Sequence, residues 1–235
     1  MRRLRKPRFF WVYPLAIGLL VTGNTSEPSL RLGIVLVLLG EALRLWANGY
    51  VGHQKINSTQ KWRNDPKIGR LITAGPYAFI RHPLYVGTFL IGAGFCVVVR
   101  NVGLALAALI FFVLVYRPKA QSEEVVILEQ WGEDYATYQR SVSRWFPALR
   151  PYPQRQGKWS WAGIKASKEL KTLSWLIITL VVLYFREEFW QEHDLFIGRD
   201  WWKHVILTIL LLGLIISDGI SEYKRWSKSI RAVKE

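Results

Sequence analysis

Two short clusters of polar and aromatic side chains could bind a charged ligand. The first is the sequence GPYAFIRHPLYVG, residues 75–87, in which Arg81 and His82 precede Pro83. Proline fits the first turn of a helix, so we expect the two basic side chains to lie at a helix N-terminus, where an anionic group binds well. On this pattern alone a second interpretation stays open, namely a basic membrane anchor followed by interfacial and packing residues.

The second cluster, in residues 119–147, contains two adjacent carboxylates, Glu123 and Glu124, in a strongly basic part of the chain. A buried carboxylate pair would accept hydrogen bonds from a ligand ammonium group. Alternatively, the two acids lie on a solvated helix face and interact with the helix dipole, with Ser122 as the N-cap. Gly132 is predicted to break this helix.

The rest of the chain predicts an all-α, polytopic membrane helical bundle. Of the 235 residues 51% are hydrophobic, yet the net charge is +15, and the apolar and basic residues alternate in blocks. Such segregation is typical of a membrane protein. We predict about six transmembrane segments, of which the third and fourth form a tight helical hairpin at Arg100-Asn101. The segments are residues 9–23, 30–46, 84–99, 102–116, 170–185 and 201–217.

The distribution of charge predicts the orientation of these segments. With both termini in the cytoplasm, 26 of the 32 Lys and Arg side chains face the cytoplasm, and the acidic loop 186–200 lies outside. This bias is the one that the positive-inside rule describes. It also places both polar clusters on the cytoplasmic side. The inside segments are residues 1–8, 53–83, 117–169 with Lys171, and 218–235.

Three parts are predicted along the chain. Residues 1–29 form a basic N-terminal segment with the first span, and residues 30–150 form a core that contains both clusters. Residues 151–235 form a linker and two additional C-terminal spans. Within the core, Glu41 lies in a span three residues before Arg44. Because ionisable side chains in membranes are costly, Glu41 is either a functional residue or the partner of Arg44 in an ion pair.

Several kinds of site and partner are excluded by composition. The single Cys96 excludes a disulfide framework and a multi-cysteine metal site. The four histidines include no pair at helical metal-ligand spacing, so no metal site is predicted. Basic residues beside apolar spans usually face anionic lipid headgroups, so we expect membrane lipids and no nucleic acid as partners.

Taken together, the two clusters resemble the isoprenylcysteine carboxyl methyltransferase family and its relatives, the phospholipid N-methyltransferases. Members carry an RHPxYxG motif before a membrane hairpin and a Glu-Glu motif after it, and the resemblance covers residues 30–150. Trp131 stands where the family has Phe, and Ser143 stands where Pro is common. The matching residues are Gly75, Pro76, Tyr77, Arg81, His82, Pro83, Tyr85, Gly87, Glu123, Glu124, Gly132, Tyr135, Tyr138, Arg144 and Pro147.

The resemblance implies an integral membrane methyltransferase that uses S-adenosyl-L-methionine and methylates a lipophilic acceptor, such as an isoprenylcysteine carboxylate or another lipid-like molecule. Acidic side chains would bind the cofactor's ammonium group, basic ones its carboxylate, and tyrosine rings its sulfonium. The implied cofactor-binding residues are Leu71, Ile72, Tyr77, Arg81, His82, Pro83, Leu84, Tyr85 and Glu123. The implied catalytic and acceptor-orienting residues are Lys119, Glu124 and Arg144.

One position departs from the family pattern. Members place an arginine about one helical turn before the Glu-Glu pair, and this chain has Lys119 there. Lysine lacks the planar fork that binds a carboxylate through two hydrogen bonds. The departure therefore leaves open which acceptor is methylated, and on which atom.

Two other functions fit part of the pattern. Membrane sterol reductases share RHPxYxG and would use NADPH, although the Glu-Glu helix argues against a reductase. A non-catalytic membrane scaffold would keep the fold and bind neither cofactor. The role of the last two spans and the oligomeric state stay open.

Overall fold

The computed structural model describes residues 26–52, 71–167 and 169–192, together with five isolated positions between 205 and 216. Within these residues all regular structure is helical, which confirms the all-α prediction. The number of spans and the sides of the termini stay predictions. The predicted span 9–23 lies outside the described residues, and only the five isolated positions of the predicted span 201–217 are described. The helices are α1 (Glu27–Val51), a 3₁₀ turn (Gly75–Ala78), α2 (Pro83–Val99), α3 (Val102–Ser141), α4 (Trp161–Ser167) and α5 (Glu169–Glu192).

The chain forms two compact units, residues 1–169 and 170–235. Every contact described below lies in the first unit. In the second, α5 continues to Glu192, so the prediction that a loop begins at residue 186 is wrong. The sequence REEFWQE contains neither Gly nor Pro and is rich in good helix formers, which lets the helix continue.

Helix α3 is the one helix in the described residues that is long and apolar enough to cross a membrane, and α2 is a shorter apolar helix. None of the apolar stretch of α3 is buried within the structure. Large side chains such as Leu106, Ile110 and Leu114 are more than half exposed. The core helix of a soluble protein would bury such a surface, so this exposure fits an integral membrane protein.

The predicted hairpin between α2 and α3 is confirmed. Arg100 adopts a left-handed conformation (φ 52°), and its N–H donates to the carbonyl oxygens of Cys96 and Val97 at 3.1 and 3.2 Å. The next residue, Asn101, caps α3 by accepting a hydrogen bond from the Leu104 N–H at 3.0 Å. Two residues thus reverse the chain between the helices.

Helix α3 does not end with its apolar part. It continues without a break from residue 102 into the polar stretch as far as Gly132, and Ser122 lies in its interior, where the hydroxyl donates to the Lys119 carbonyl at 2.8 Å. The prediction that Ser122 caps a separate helix is therefore wrong. The apolar helix does not end at Pro118, which lies inside α3. The predicted break at Gly132 is confirmed by its non-helical backbone (φ 49°, ψ −125°).

Helices α1 and α2 pack antiparallel through glycines at close range. Gly33 lies opposite Gly94, and Gly40 lies opposite Gly87. A Cβ atom on Gly40 would lie 2.6 Å from the Gly87 carbonyl oxygen, and one on Gly94 would lie 2.7 Å from the Gly33 carbonyl oxygen. Small residues that bring two backbones together are the usual means of helix association in membranes. This contact fixes α2, which bears the first polar cluster at its N-terminus.

Gly94→Ala is expected to lower the thermal denaturation midpoint of the detergent-purified protein, with a loss of about 1–3 kcal/mol, because the added methyl group overpacks the contact between α1 and α2. Gly92→Ala is the matched control, since nothing lies within 4 Å of a Cβ atom at Gly92. This control should be neutral or slightly stabilising because alanine favours helix. Equal midpoints for the two variants would contradict the close packing.

Candidate cofactor and acceptor site

The first polar cluster is held at the N-terminus of α2. His82 is the residue before the helix, and its carbonyl oxygen accepts hydrogen bonds from the N–H groups of Tyr85 and Val86, each at 3.1 Å. Pro83 occupies the first helical position, as predicted. The 3₁₀ turn that precedes it buries Tyr77 and Ala78. The sequence motif therefore folds as a turn followed by a helix start, with His82 between them.

Glu124 joins this cluster to the second one. Its carboxylate accepts hydrogen bonds from His82 Nε2 at 2.9 Å and from Arg144 Nε and Nη2 at 3.0 and 2.6 Å. Arg81 Nη1 lies 3.3 Å from Glu124 Oε1, and Gln139 Nε2 donates to Oε2 at 3.2 Å. Glu124 is only 4% exposed. A position on a solvated helix face is thereby ruled out for Glu124.

The surroundings of Glu124 keep it ionised. Burial alone would raise its pKa, but the hydrogen bonds from His82 and Arg144 and the charge of Arg81 outweigh burial and hold the pKa at about 2. A carboxylate with such a low pKa is a weak base. The geometry thus favours Glu124 as the anchor of three basic side chains over a role in proton abstraction.

Acidification is expected to destabilise the protein through Glu124. Because the folded-state pKa of about 2 lies below the ordinary value of 4.5, the stabilisation is complete above about pH 4.5 and is lost as the pH falls toward 2. Thermal midpoints measured from about pH 7 to about pH 3 should therefore decrease. Glu124→Gln cannot titrate, so its midpoint should fall less over this interval. An equal fall in both proteins would contradict the assignment.

Glu123 has different surroundings although it is the neighbour of Glu124. The Tyr85 hydroxyl donates to Glu123 Oε1 at 2.5 Å, and His82 Nδ1 lies 3.9 Å from Oε2. Burial raises the pKa of Glu123, and the Tyr85 hydrogen bond and the charge of Lys119 oppose this rise. Within the described residues Glu123 accepts one side-chain hydrogen bond, so its carboxylate retains the capacity to accept further ones.

Aromatic rings surround Glu123 and Lys119. The His82 and Tyr85 rings stack with 5.3 Å between centroids and 4° between planes. The Lys119 ammonium lies 5.1 Å from the centroid of the Tyr85 ring and 6.0 Å from that of Tyr116. A cation therefore already lies over these rings, which is the environment that attracts positively charged groups.

The remaining predicted site residues flank this centre. The Tyr77 carbonyl oxygen accepts a hydrogen bond from the Tyr138 hydroxyl at 2.7 Å, and Leu71 packs against the buried cluster that contains Tyr138. Ile72 follows Leu71 at a half-buried position, and the Leu84 carbonyl oxygen is contacted by an arginine from α1 at 3.4 Å. These residues shape the backbone around the site.

Tyr135 and Tyr138 lie in the core, being 2% and 3% exposed. Burial raises the pKa of Tyr138 far above its ordinary value, with the neighbouring hydroxyls of Tyr135 and Tyr77 acting in the same direction. Tyr138 therefore stays protonated and is unsuited to act as a base. Core packing accounts for this pair.

A model of the phospholipid methyltransferase family matches residues 28–134. These residues contain α1, the 3₁₀ turn, α2 and most of α3, with both carboxylates of the site. Residues 28–134 therefore resemble the phospholipid methyltransferase family. Arg144 lies beyond the matched residues, although it binds Glu124 in the family segment.

Known relatives agree with this assignment. The family segment resembles protein-S-isoprenylcysteine O-methyltransferase of Homo sapiens, with 32% identity over 122 residues, which are 50% of this chain and 41% of the relative. The nickel-cobalt-cadmium resistance protein NccN of Alcaligenes xylosoxydans xylosoxydans is 29% identical over 137 residues, 55% of this chain and 58% of the relative. The chain thus spans about two fifths of the human relative. No solved structure matches the chain significantly.

Trp145 is a further site residue that the sequence did not indicate. Its ring lies 5.7 Å from that of His82, 6.4 Å from that of Tyr85 and 6.1 Å from that of Phe112. It therefore joins the polar site to the apolar part of α3. The available signal was its position directly after Arg144, whose side chain the family motif places in the site.

Proposed function

We propose that this chain is an integral membrane methyltransferase that transfers a methyl group from S-adenosyl-L-methionine to a lipophilic acceptor. The observation that carries this proposal is the convergence of the RHPxYxG and Glu-Glu motifs on one site, through the contact between His82 and Glu124. The family match supports it, as do relatives that are named O-methyltransferases. The acceptor is an isoprenylcysteine-carboxylate-like or another small lipid-like molecule.

The residues present fit the charged groups of the cofactor. Arg81 is almost buried; its Nε atom has no hydrogen-bond partner among the described residues, and its Nη1 atom has only the ion pair with Glu124 and no hydrogen bond there. Such unused donors suit a carboxylate. Glu123 can accept hydrogen bonds from an ammonium group, and a sulfonium would suit the face of Tyr85 that the Lys119 ammonium now occupies. His82, Pro83, Leu84 and Tyr77, with Leu71 and Ile72, would form the surrounding wall.

The chemistry is an in-line displacement at carbon, for which the bound cofactor supplies an activated methyl group. The protein then contributes mainly alignment of the reactants and exclusion of water. Glu124 and Arg144 contribute by fixing His82 and Arg81, since Arg144 is bound to Glu124 through two hydrogen bonds. Lys119 is exposed and would orient an anionic group of the acceptor. A carboxylate or thiolate acceptor needs no general base.

We propose further that the site faces the cytoplasm, that the protein crosses the membrane several times, and that lipids surround its apolar helices. The bias of basic residues toward the predicted cytoplasmic segments supports this orientation.

The proposal is tested by isothermal calorimetry of the detergent-purified full chain with S-adenosylhomocysteine, and with NADPH in parallel. Micromolar binding of S-adenosylhomocysteine without binding of NADPH is the expected result. Binding of NADPH alone would overturn the proposal in favour of a sterol-type reductase. Binding of neither would overturn it in favour of a non-catalytic scaffold.

A further inference from the structure

A second group of charged side chains lies one turn away from the site, between α1, α2 and the start of α5. Arg44 of α1 donates from Nε to Glu169 Oε1 at 2.6 Å. Its Nη1 contacts the Thr88 hydroxyl and the Leu84 carbonyl oxygen, both on the first two turns of α2. Asn48 donates to the other oxygen of Glu169 at 2.9 Å. Arg44 thus links α1, α2 and Glu169 within the first unit.

The side chain of Arg44 reaches α2 because residue 87 is glycine. A Cβ atom on Gly87 would lie 2.5 Å from Arg44 Cγ and 3.2 Å from Cδ. Any larger residue would occupy the path of the arginine. The glycine of the RHPxYxG motif therefore serves this contact as well as the packing of α1 on α2.

Two buried carboxylates are close to this single guanidinium. Glu169 is 1% exposed and forms the short ion pair, while Glu41 is 2% exposed and lies 3.7 Å from Arg44 Nε. Neither oxygen of Glu41 has a hydrogen-bond donor among the described residues. Glu41 lies on α1, as Arg44 does. A close ion pair with Glu41 would therefore hold the Arg44 guanidinium against α1 and away from α2. Of the two carboxylates, only Glu169 has a short contact with the guanidinium in the position from which it reaches α2.

Backbone hydrogen bonds connect the segment before Glu169 to the residues that precede the 3₁₀ turn and to the end of α1. The carbonyl oxygen of Gln156 accepts hydrogen bonds from the N–H groups of Thr73 and Ala74 at 2.9 and 3.1 Å. Four residues later the Ser160 N–H donates to the Gly49 carbonyl oxygen at 2.8 Å. These bonds link the segment that precedes the 3₁₀ turn to the end of α1 and direct the chain to Glu169.

We propose that Glu169 is a positioning residue for the cofactor site, which acts through Arg44 on the first turns of α2, where His82 and Tyr85 are held. This inference rests on the proposed methyltransferase function. Glu169 lies outside the family segment 28–134, so a part of the chain that the family match does not cover completes the site. The charge of Arg44 also reaches the site, since it opposes the rise in the pKa of Tyr77 that burial and the Glu123 charge produce.

The test compares Glu169→Gln with Glu41→Gln in the detergent-purified full chain. Each variant removes one buried carboxylate charge near Arg44, but only Glu169 has a short contact with it. Glu169→Gln is expected to raise the Kd for S-adenosylhomocysteine about tenfold, because the competent arrangement of α2 would be populated about one tenth of the time. Glu41→Gln should change the Kd less than about twofold.

Hydrogen–deuterium exchange without ligand provides the second measurement. Peptides that cover residues 80–90 should exchange faster in Glu169→Gln than in the wild type. In Glu41→Gln their exchange rate should equal that of the wild type. A purely structural role for Glu169 would lower the melting midpoint but change neither the Kd nor this local exchange, and that result would overturn the proposal.

The two proposals fail in different ways. If the wild type binds no S-adenosylhomocysteine, the proposed function fails, and the exchange measurement alone decides whether Glu169 positions α2. If the wild type binds and Glu169→Gln binds equally well, the positioning role fails while the proposed function stands.

Discussion

Glu124→Ala is expected to reduce the free energy of unfolding by about 3 kcal/mol, the lower part of the range for breaking a buried ion pair. The substitution leaves Arg81, which is almost buried, and Arg144, which is a quarter exposed, without their shared counter-charge, and it removes the hydrogen-bond partner of His82. The cost comes from these unpaired charges more than from the lost hydrogen bonds. Thermal or denaturant unfolding of the detergent-purified protein, followed by tryptophan fluorescence, measures the effect.

Glu133→Ala is the matched control for this substitution. Glu133 lies just after the break at Gly132 and pairs with Arg140 at 3.1 Å, but both side chains are more than two thirds exposed. Exposed ion pairs contribute little to stability, so the control should unfold as the wild type does. Similar losses in the two variants would show that Glu124 is not the buried centre described above.

Glu123→Ala is expected to weaken the binding of S-adenosylhomocysteine about 100-fold while changing stability little. Truncating one partner of a buried charge pair costs about 3 kcal/mol, which corresponds to a factor of about 100 in Kd. Within the fold Glu123 receives only the hydrogen bond from Tyr85 in the described part of the chain, so its loss disturbs few contacts. Calorimetry and thermal unfolding on the same samples separate the two effects.

Glu123→Gln isolates the contribution of charge. It retains a side chain that can accept the Tyr85 hydrogen bond but cannot pair with an ammonium group as an anion. We expect this variant to bind nearly as weakly as Glu123→Ala. Wild-type affinity in both variants would remove Glu123 from the cofactor site and leave its burial without a functional explanation.

The sequence was sufficient to predict that the two polar clusters lie together. It was not sufficient to predict which of the two carboxylates contacts which partner. The clusters flank a hairpin that reverses at Arg100, so both lie at the open end of that hairpin. Neighbouring residues on a helix, however, point about 100° apart. Glu124 therefore faces His82 and Arg144 while Glu123 faces Tyr85, and which acid meets which partner depends on the rotation of α3 about its axis.

The partner of Arg44 is a second case in which local sequence was insufficient. Glu41, three residues earlier, is the partner that the sequence suggests, and a weak contact between them exists at 3.7 Å. The short contact instead comes from Glu169, 125 residues away. No periodicity or motif links residues at such a separation. The same limitation applies to Ser122, whose position after an apolar run indicated a helix start, although the helix passes through it.

The large separation between Arg44 and Glu169 has a consequence for biosynthesis. At about 5–20 residues per second, Glu169 is synthesised roughly 6–25 s after Arg44. An arginine entering a bilayer without a counter-charge is costly, and within α1 only Glu41 lies in reach of it. We therefore expect Glu41 to offset the charge of Arg44 while α1, the second predicted span, inserts, and Glu169 to become the closer partner once the later part of the chain has emerged. This expectation gives a role during synthesis to a buried carboxylate that has no hydrogen-bond donor among the described residues.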